Sequence, residues 1–110
     1  MKTRSAKAKG RRLQNWVRER LVELLKLDPD KVRCAVMGEG GADVQLDKDV
    51  HPHFPYDIEC KNQEKYKGIY DAYEQASQHG KNEPLVVIKM NKRKPLILVD
   101  AEHFIRNVRW

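Results

Sequence analysis

The sequence predicts an α/β chain in the order helix, three strands, helix, two strands, helix. Three observations carry this expectation. Apolar residues recur at helical spacing from Leu13 onward, β-branched and apolar runs punctuated by Gly and Pro follow, and a second helical pattern around Ile69–Ala76 separates two groups of such runs. At 110 residues the chain has the length of one domain, so residues 1–110 are expected as a single unit with residues 1–10 as a basic N-terminal arm.

The first helix follows from Leu13, Trp16, Val17, Leu21, Leu24 and Leu25, a stripe that stops before Asp28 and Pro29. VRCAVM (32–37) reads as a strand, GEGG (38–41) as a turn and ADVQL (42–46) as a second strand, which together make a hairpin. DKDVHPHFP (47–55), with prolines at 52 and 55, is a loop leading into a third strand, DIECK (57–61). Ile69, Ala72, Tyr73 and Ala76 share a face of the second helix, and Gly80 follows as its stop. PLVVIKM (84–90) is nearly continuous apolar sequence and so reads as a strand covered on both faces. NKRK then turns the chain into PLILV (95–99). Asp100 is placed to cap a last helix, AEHFIRNVRW.

Composition narrows the function classes. Apolar residues make up 40% and charged residues 35%, with no run near the roughly 18 apolar residues a membrane span needs and no apolar stretch of a signal peptide behind MKTRSAKAKGRR. An intracellular, cytoplasmic protein is expected, in the host cytoplasm if phage-encoded. Cys34 and Cys60 sit in apolar stretches without a CxxC partner, which reads as reduced core thiols. The formal charge is +6, and Lys2, Arg4, Lys7, Lys9, Arg11 and Arg12 all precede the first acid, Glu19. Such a run suits a polyanion, where counterion release supplies salt-dependent affinity; the plainer alternative is a solvated tail that only aids solubility.

Chemistry concentrates in DIECK. On a strand, Asp57, Glu59 and Lys61 line one face and Ile58 and Cys60 the other. Carboxylates facing a cleft are costly unless paired or holding a cation, and antiparallel neighbours would let Asp43 approach Glu59. Two carboxylates with a backbone carbonyl form a hard, oxygen-rich site that suits Mg²⁺ or Mn²⁺ better than zinc. Lys61 projects into the same cleft, placed to orient a water or to stabilise charge on a phosphate.

Asp43 followed by Glu-x-Lys (Glu59, Lys61) in a basic chain resembles the PD-(D/E)XK nuclease superfamily. KGRRLQNWVRERLVELL, VRCAVMGEGGADV, IECKNQ and PLVVIKM are similar to archaeal Holliday junction resolvases and related small phage nucleases. The resemblance implies a restriction-endonuclease-like core with a mixed central sheet flanked by helices. It also implies metal-dependent hydrolysis of duplex or branched DNA by a homodimer, with Asp43 and Glu59 as metal ligands, the Cys60 carbonyl beside them and Lys61 as the catalytic amine. The position matching the helical acid of that family holds Gln14, a weaker ligand, and Ala42 stands where the motif has proline.

Other residues are open to plainer readings. Lys65 and Lys67 near the second helix are phosphate candidates or surface lysines. His51 and His53 read as exposed loop histidines, and Gln75 and Gln78 as solvated helix positions. GEGG is either a hairpin turn or a place for close DNA approach, and Glu39 reads as too exposed for a ligand. Trp16, Tyr66 and Tyr70 are base-stacking candidates or packing residues. The rival function is a catalytically silent DNA-binding module, for which Gln14 is the argument, and nothing in the sequence distinguishes DNA from RNA by the sugar.

Overall fold

Lys2–Leu25 forms one helix, α1, because KTRSAKAKGRRLQNWVRERLVELL holds no proline and is rich in Ala, Leu, Lys and Arg. The helix therefore starts well before the apolar stripe: the expected basic arm is helical, not a free tail. The computed structural model describes residues 2–63 and 65–108, with side chains from residue 7 onward. The expected contributions of the Lys2 and Arg4 side chains, and of Arg109 and Trp110 to the last helix, lie outside the described residues.

The chain forms two units, Met1–Gln63 with Ile105–Trp110, and Glu64–Phe104. In the first, α1 is followed by a 3-10 turn, Pro29–Lys31, whose Asp28 cap accepts from the Asp30 N–H at 2.9 Å. Strands β1 (Val32–Cys34) and β2 (Val44–Leu46) then pair antiparallel, with Val32 opposite Leu46 and Cys34 opposite Val44. The expected hairpin forms. Leu21, Val32, Val44, Val50, Phe54 and Ile105 build the core, with both cysteines half-buried and free against it. Full burial of Leu21 contributes about 2 kcal/mol from its apolar area. Val50 and Phe54 come from the 47–55 segment, which the sequence marks only as loop; the Phe54 N–H donates to the Val50 carbonyl at 3.0 Å, a single helical turn that aims both side chains inward.

The second unit holds α2 (Lys67–Ser77) against the hairpin of β3 (Val86–Ile88) and β4 (Leu96–Leu98), with Val87 opposite Ile97. Lys92 takes a left-handed φ of 65° in the NKRK turn. The expectation that PLVVIKM is covered on both faces fails, because the paired side chains of Val87 and Ile97 are exposed. One helix and two strands have only one face to bury. Helix α3 (Ala101–Asn107) starts where expected, its His103 N–H donating to Asp100 Oδ1 at 2.8 Å.

Among the described residues the architecture is thus a small mixed α/β fold with three α-helices and two separate two-stranded antiparallel sheets. The expected third strand, DIECK, does not form, and among the described residues the strands pair as two separate hairpins instead of the expected mixed central sheet. Only Ile58 bridges, to Val44. Ile58 has a core neighbour to bury against, whereas Asp57, Glu59 and Lys61 are all exposed and keep their water, and Pro55 upstream has no N–H to lend a ladder.

Candidate nucleic-acid and metal site

Helix periodicity sets the first wall of the site. Residues 7, 11, 14, 18, 21 and 25 recur at three- and four-residue intervals and so share one face of α1. At its C-terminal end this face is apolar and buries Leu21 in the core. Further back Arg18 reaches across to the strand, donating from Nε to the Val32 carbonyl at 2.6 Å and from Nη2 to the Pro29 carbonyl at 2.8 Å. Toward the N-terminus the face turns basic, and there Lys7, Gly10, Arg11 and Gln14 line a cleft of about 560 Å³ with residues 34–39 and Asp43. Lys9 and Arg12 fall on other faces of the helix and outside this lining.

The loop opposite is fixed by polar contacts. The Glu39 carboxylate accepts from both terminal nitrogens of Arg33, at 3.1 Å for the Nη1–Oε1 pair, and from the Val36 N–H at 3.0 Å. The Glu39 N–H returns a bond to the Val36 carbonyl at 3.0 Å. Gln45 Nε2 donates to the Gly40 and Ala42 carbonyls at 3.2 Å. The Arg33 guanidinium holds the Glu39 carboxyl down at about 2, with the Val36 N–H adding to the effect. Gly38 and Gly41 supply the left-handed turns at φ of 83° and 89°. The sequence marks Glu39 as too exposed for a ligand; it is a half-buried organiser of the loop. The signal was present in the strand register, because Arg33 pairs with Gln45 on the outer face and both point back at the turn they flank.

Asp43 is the junction between this hairpin and the charged segment. Its N–H donates to the Ile58 carbonyl at 2.8 Å, and its Oδ2 accepts from the Cys60 N–H at 2.8 Å. Extending the register of the Val44–Ile58 bridge by one residue puts Glu59 opposite Asp43. Lys61 Nζ lies 3.9 Å from Glu59 Oε2, both side chains more than 60% exposed, so this pair adds little stability and both groups are open to a ligand. Burial, with the Asp43 carboxylate adding to it, pushes the Cys60 thiol up to about 11, and burial raises Cys34 as well. No family model, curated protein or solved structure matches this chain.

Asp43 is therefore brought to Cys60 by a hydrogen bond and to Gln14, Lys7 and Arg11 by the cleft, while Glu59 and Lys61 stand next to each other beside the Asp43–Cys60 contact, outside the cleft lining. Among the described residues no three or more His, Cys, Asp or Glu side chains gather closely enough to hold a metal ion. Carboxylate oxygens of Asp43 and Glu59 are the donor type that magnesium and manganese take, ions that typically bind one or two protein carboxylates and fill the remaining positions with water and substrate phosphate. Asp43 Oδ2 is oriented by the Cys60 N–H.

Lys65 and Lys67 belong to the second unit at the start of α2, and Lys67 pairs with Asp71 at 2.7 Å. Trp16 lies beneath the Arg20 guanidinium, 5.9 Å from the ring centroid. Among the described residues no helix is long and apolar enough to cross a membrane.

Proposed function

We propose that the chain is a metal-dependent DNA endonuclease with a reduced restriction-endonuclease-like core, acting as a homodimer on duplex or branched DNA. The observation that carries this reading is the double tie of Asp43, which lines a cleft with Lys7 and Arg11, to the 58–60 backbone that carries Glu59.

The residues divide the work by their chemistry. Lys7 and Arg11 neutralise the backbone phosphates of the strand lying in the cleft, a contribution that weakens as salt rises. Asp43 and Glu59, with the Cys60 carbonyl, would hold Mg²⁺ or Mn²⁺. When bound, the ion supplies Lewis-acid stabilisation of charge on the scissile phosphate. Lys61, anchored loosely by Glu59, donates hydrogen bonds to the attacking water or to a non-bridging phosphate oxygen, and Gln14 positions phosphate or water from the helix side. Gln14 carries no charge, so the helical wall adds orientation without a third anionic ligand.

The test is cleavage of supercoiled, single-stranded and four-way-junction DNA in Mg²⁺ or Mn²⁺. Wild type cuts, while Glu59→Ala and Lys61→Ala lose about two orders of magnitude in rate and still shift DNA in a gel. Gln14, an uncharged side chain where the helical acid of the PD-(D/E)XK family would stand, favours one second reading, a DNA-binding module without catalysis. That reading wins if wild type shifts DNA and leaves it uncut.

A further inference from the structure

Two apolar side chains of the cleft lining are left mostly exposed. Val36 is 69% exposed and Met37 72% exposed, at the tip of the loop facing Lys7 and Arg11. Their exposure is not the by-product of a loose loop. Glu39 holds Val36 through both its carboxylate and its N–H, Arg33 and Gln45 brace the far side, and two left-handed glycines set the turn. A loop fixed wholly by polar contacts presents two apolar groups to water, which contributes nothing to the stability of the free protein.

What covers them must suit the opposite wall. Lys7 and Arg11 make that wall cationic, and beside them Gly10 carries no side chain; among the described residues nothing outside its own helix backbone and chain neighbours lies within 4 Å of where a Cβ would stand. A glycine inside a helix costs about 1 kcal/mol relative to alanine. An apolar protein partner would bury the two cations unpaired. A nucleic acid matches both walls: phosphates meet Lys7 and Arg11 across the open floor at Gly10, and the apolar face of a base meets Val36 and Met37. In a continuous duplex each base face is hidden against its neighbour, so this contact requires a base step that is already open or is opened by a wedge.

We infer that the Val36–Met37 tip is a subsite for an unstacked nucleobase, which makes the cleft prefer DNA carrying an unpaired or extruded base over uninterrupted duplex. The inference rests on the nucleic-acid reading of the cleft and is separable from it by experiment.

Binding is measured by fluorescence anisotropy in EDTA, with a duplex carrying one unpaired 2-aminopurine and with the same duplex fully paired. Wild type binds the bulged duplex about tenfold tighter, and 2-aminopurine emission rises as the base leaves the stack. The double variant Val36→Ser/Met37→Ser, and Met37→Gln alone to a smaller extent, lose this preference and the emission change while affinity for paired duplex stays within about twofold. Lys7→Ala/Arg11→Ala weakens both DNAs by a similar factor and flattens the salt dependence. The inference is overturned if the serine variant keeps the preference, or if it weakens both DNAs equally; DNA binding by wild type then leaves the nuclease reading standing. If wild type binds neither DNA at low salt, the nucleic-acid reading fails and the subsite fails with it.

Discussion

Replacing Asp43 separates its structural task from its chemical one. Its Oδ2 accepts a 2.8 Å hydrogen bond from the Cys60 N–H, in a half-buried setting where water does not fully substitute. Hydrogen bonds to charged groups contribute about 1.5–3 kcal/mol, and charge-assisted bonds are about twice as strong as neutral ones. Asp43→Ala therefore costs about 2 kcal/mol and Asp43→Asn, whose amide oxygen still accepts, about 1 kcal/mol. For a chain of this size these correspond to losses of about 10 °C and 5 °C in Tm, read from thermal melts followed by circular dichroism. Amide hydrogen exchange at Cys60 accelerates in Asp43→Ala, and less in Asp43→Asn, by more than the loss of global stability alone produces at the core amide of Val32. On the nuclease reading proposed above, both variants abolish DNA cleavage, because neither side chain replaces the anionic oxygen. Equal melting of wild type and Asp43→Ala, with Cys60 exchange unchanged, would refute the claim that Asp43 tethers the Glu-x-Lys segment.

Two further outcomes follow from the titrating groups. Glu39 has its folded pKa depressed from 4.5 to about 2, so its clamp is fully present above about pH 4.5 and is lost as pH falls through about 2. The Val36 amide resonance accordingly titrates near pH 2, and in Glu39→Gln the same amide exchanges faster with solvent at neutral pH. Cys60 shifts the other way: its thiol is raised from 9.0 to about 11, so the stability it contributes is complete below pH 9 and is lost as pH rises toward 11. Since the thiolate is the nucleophile, alkylation of Cys60 at pH 8.5 is slow in the folded protein and rapid in urea.

Local pattern carried the elements, and non-local packing decided how they joined. The stripe from Leu13 to Leu25, the β1–β2 hairpin and the Asp100 cap were each legible because a few neighbouring residues fix them. The helix start was less so: its first turns carry no apolar stripe, only residues with high helix propensity. DIECK alternates as a strand should, yet pairing depends on what its partner offers, and a single core-facing Ile58 sustains a single bridge. Val50 and Phe54, four residues apart, were a helical-turn signal obscured by Pro52 and the surrounding polar residues. Within the site, the approach of Asp43 to the Glu59 segment was legible from strand order, whereas the Arg33–Glu39–Gln45 brace needed the strand register. The apolar tip at Val36 and Met37 was hidden in what read as strand.

The most direct test of the site is manganese titration followed by amide resonances, since bound Mn²⁺ broadens only nearby nuclei. Selective loss of the signals of residues 43 and 59–61 at low Mn²⁺, restored by Mg²⁺ competition and absent in Glu59→Ala, is the predicted result. Broadening centred elsewhere, or unchanged in Glu59→Ala, would contradict it.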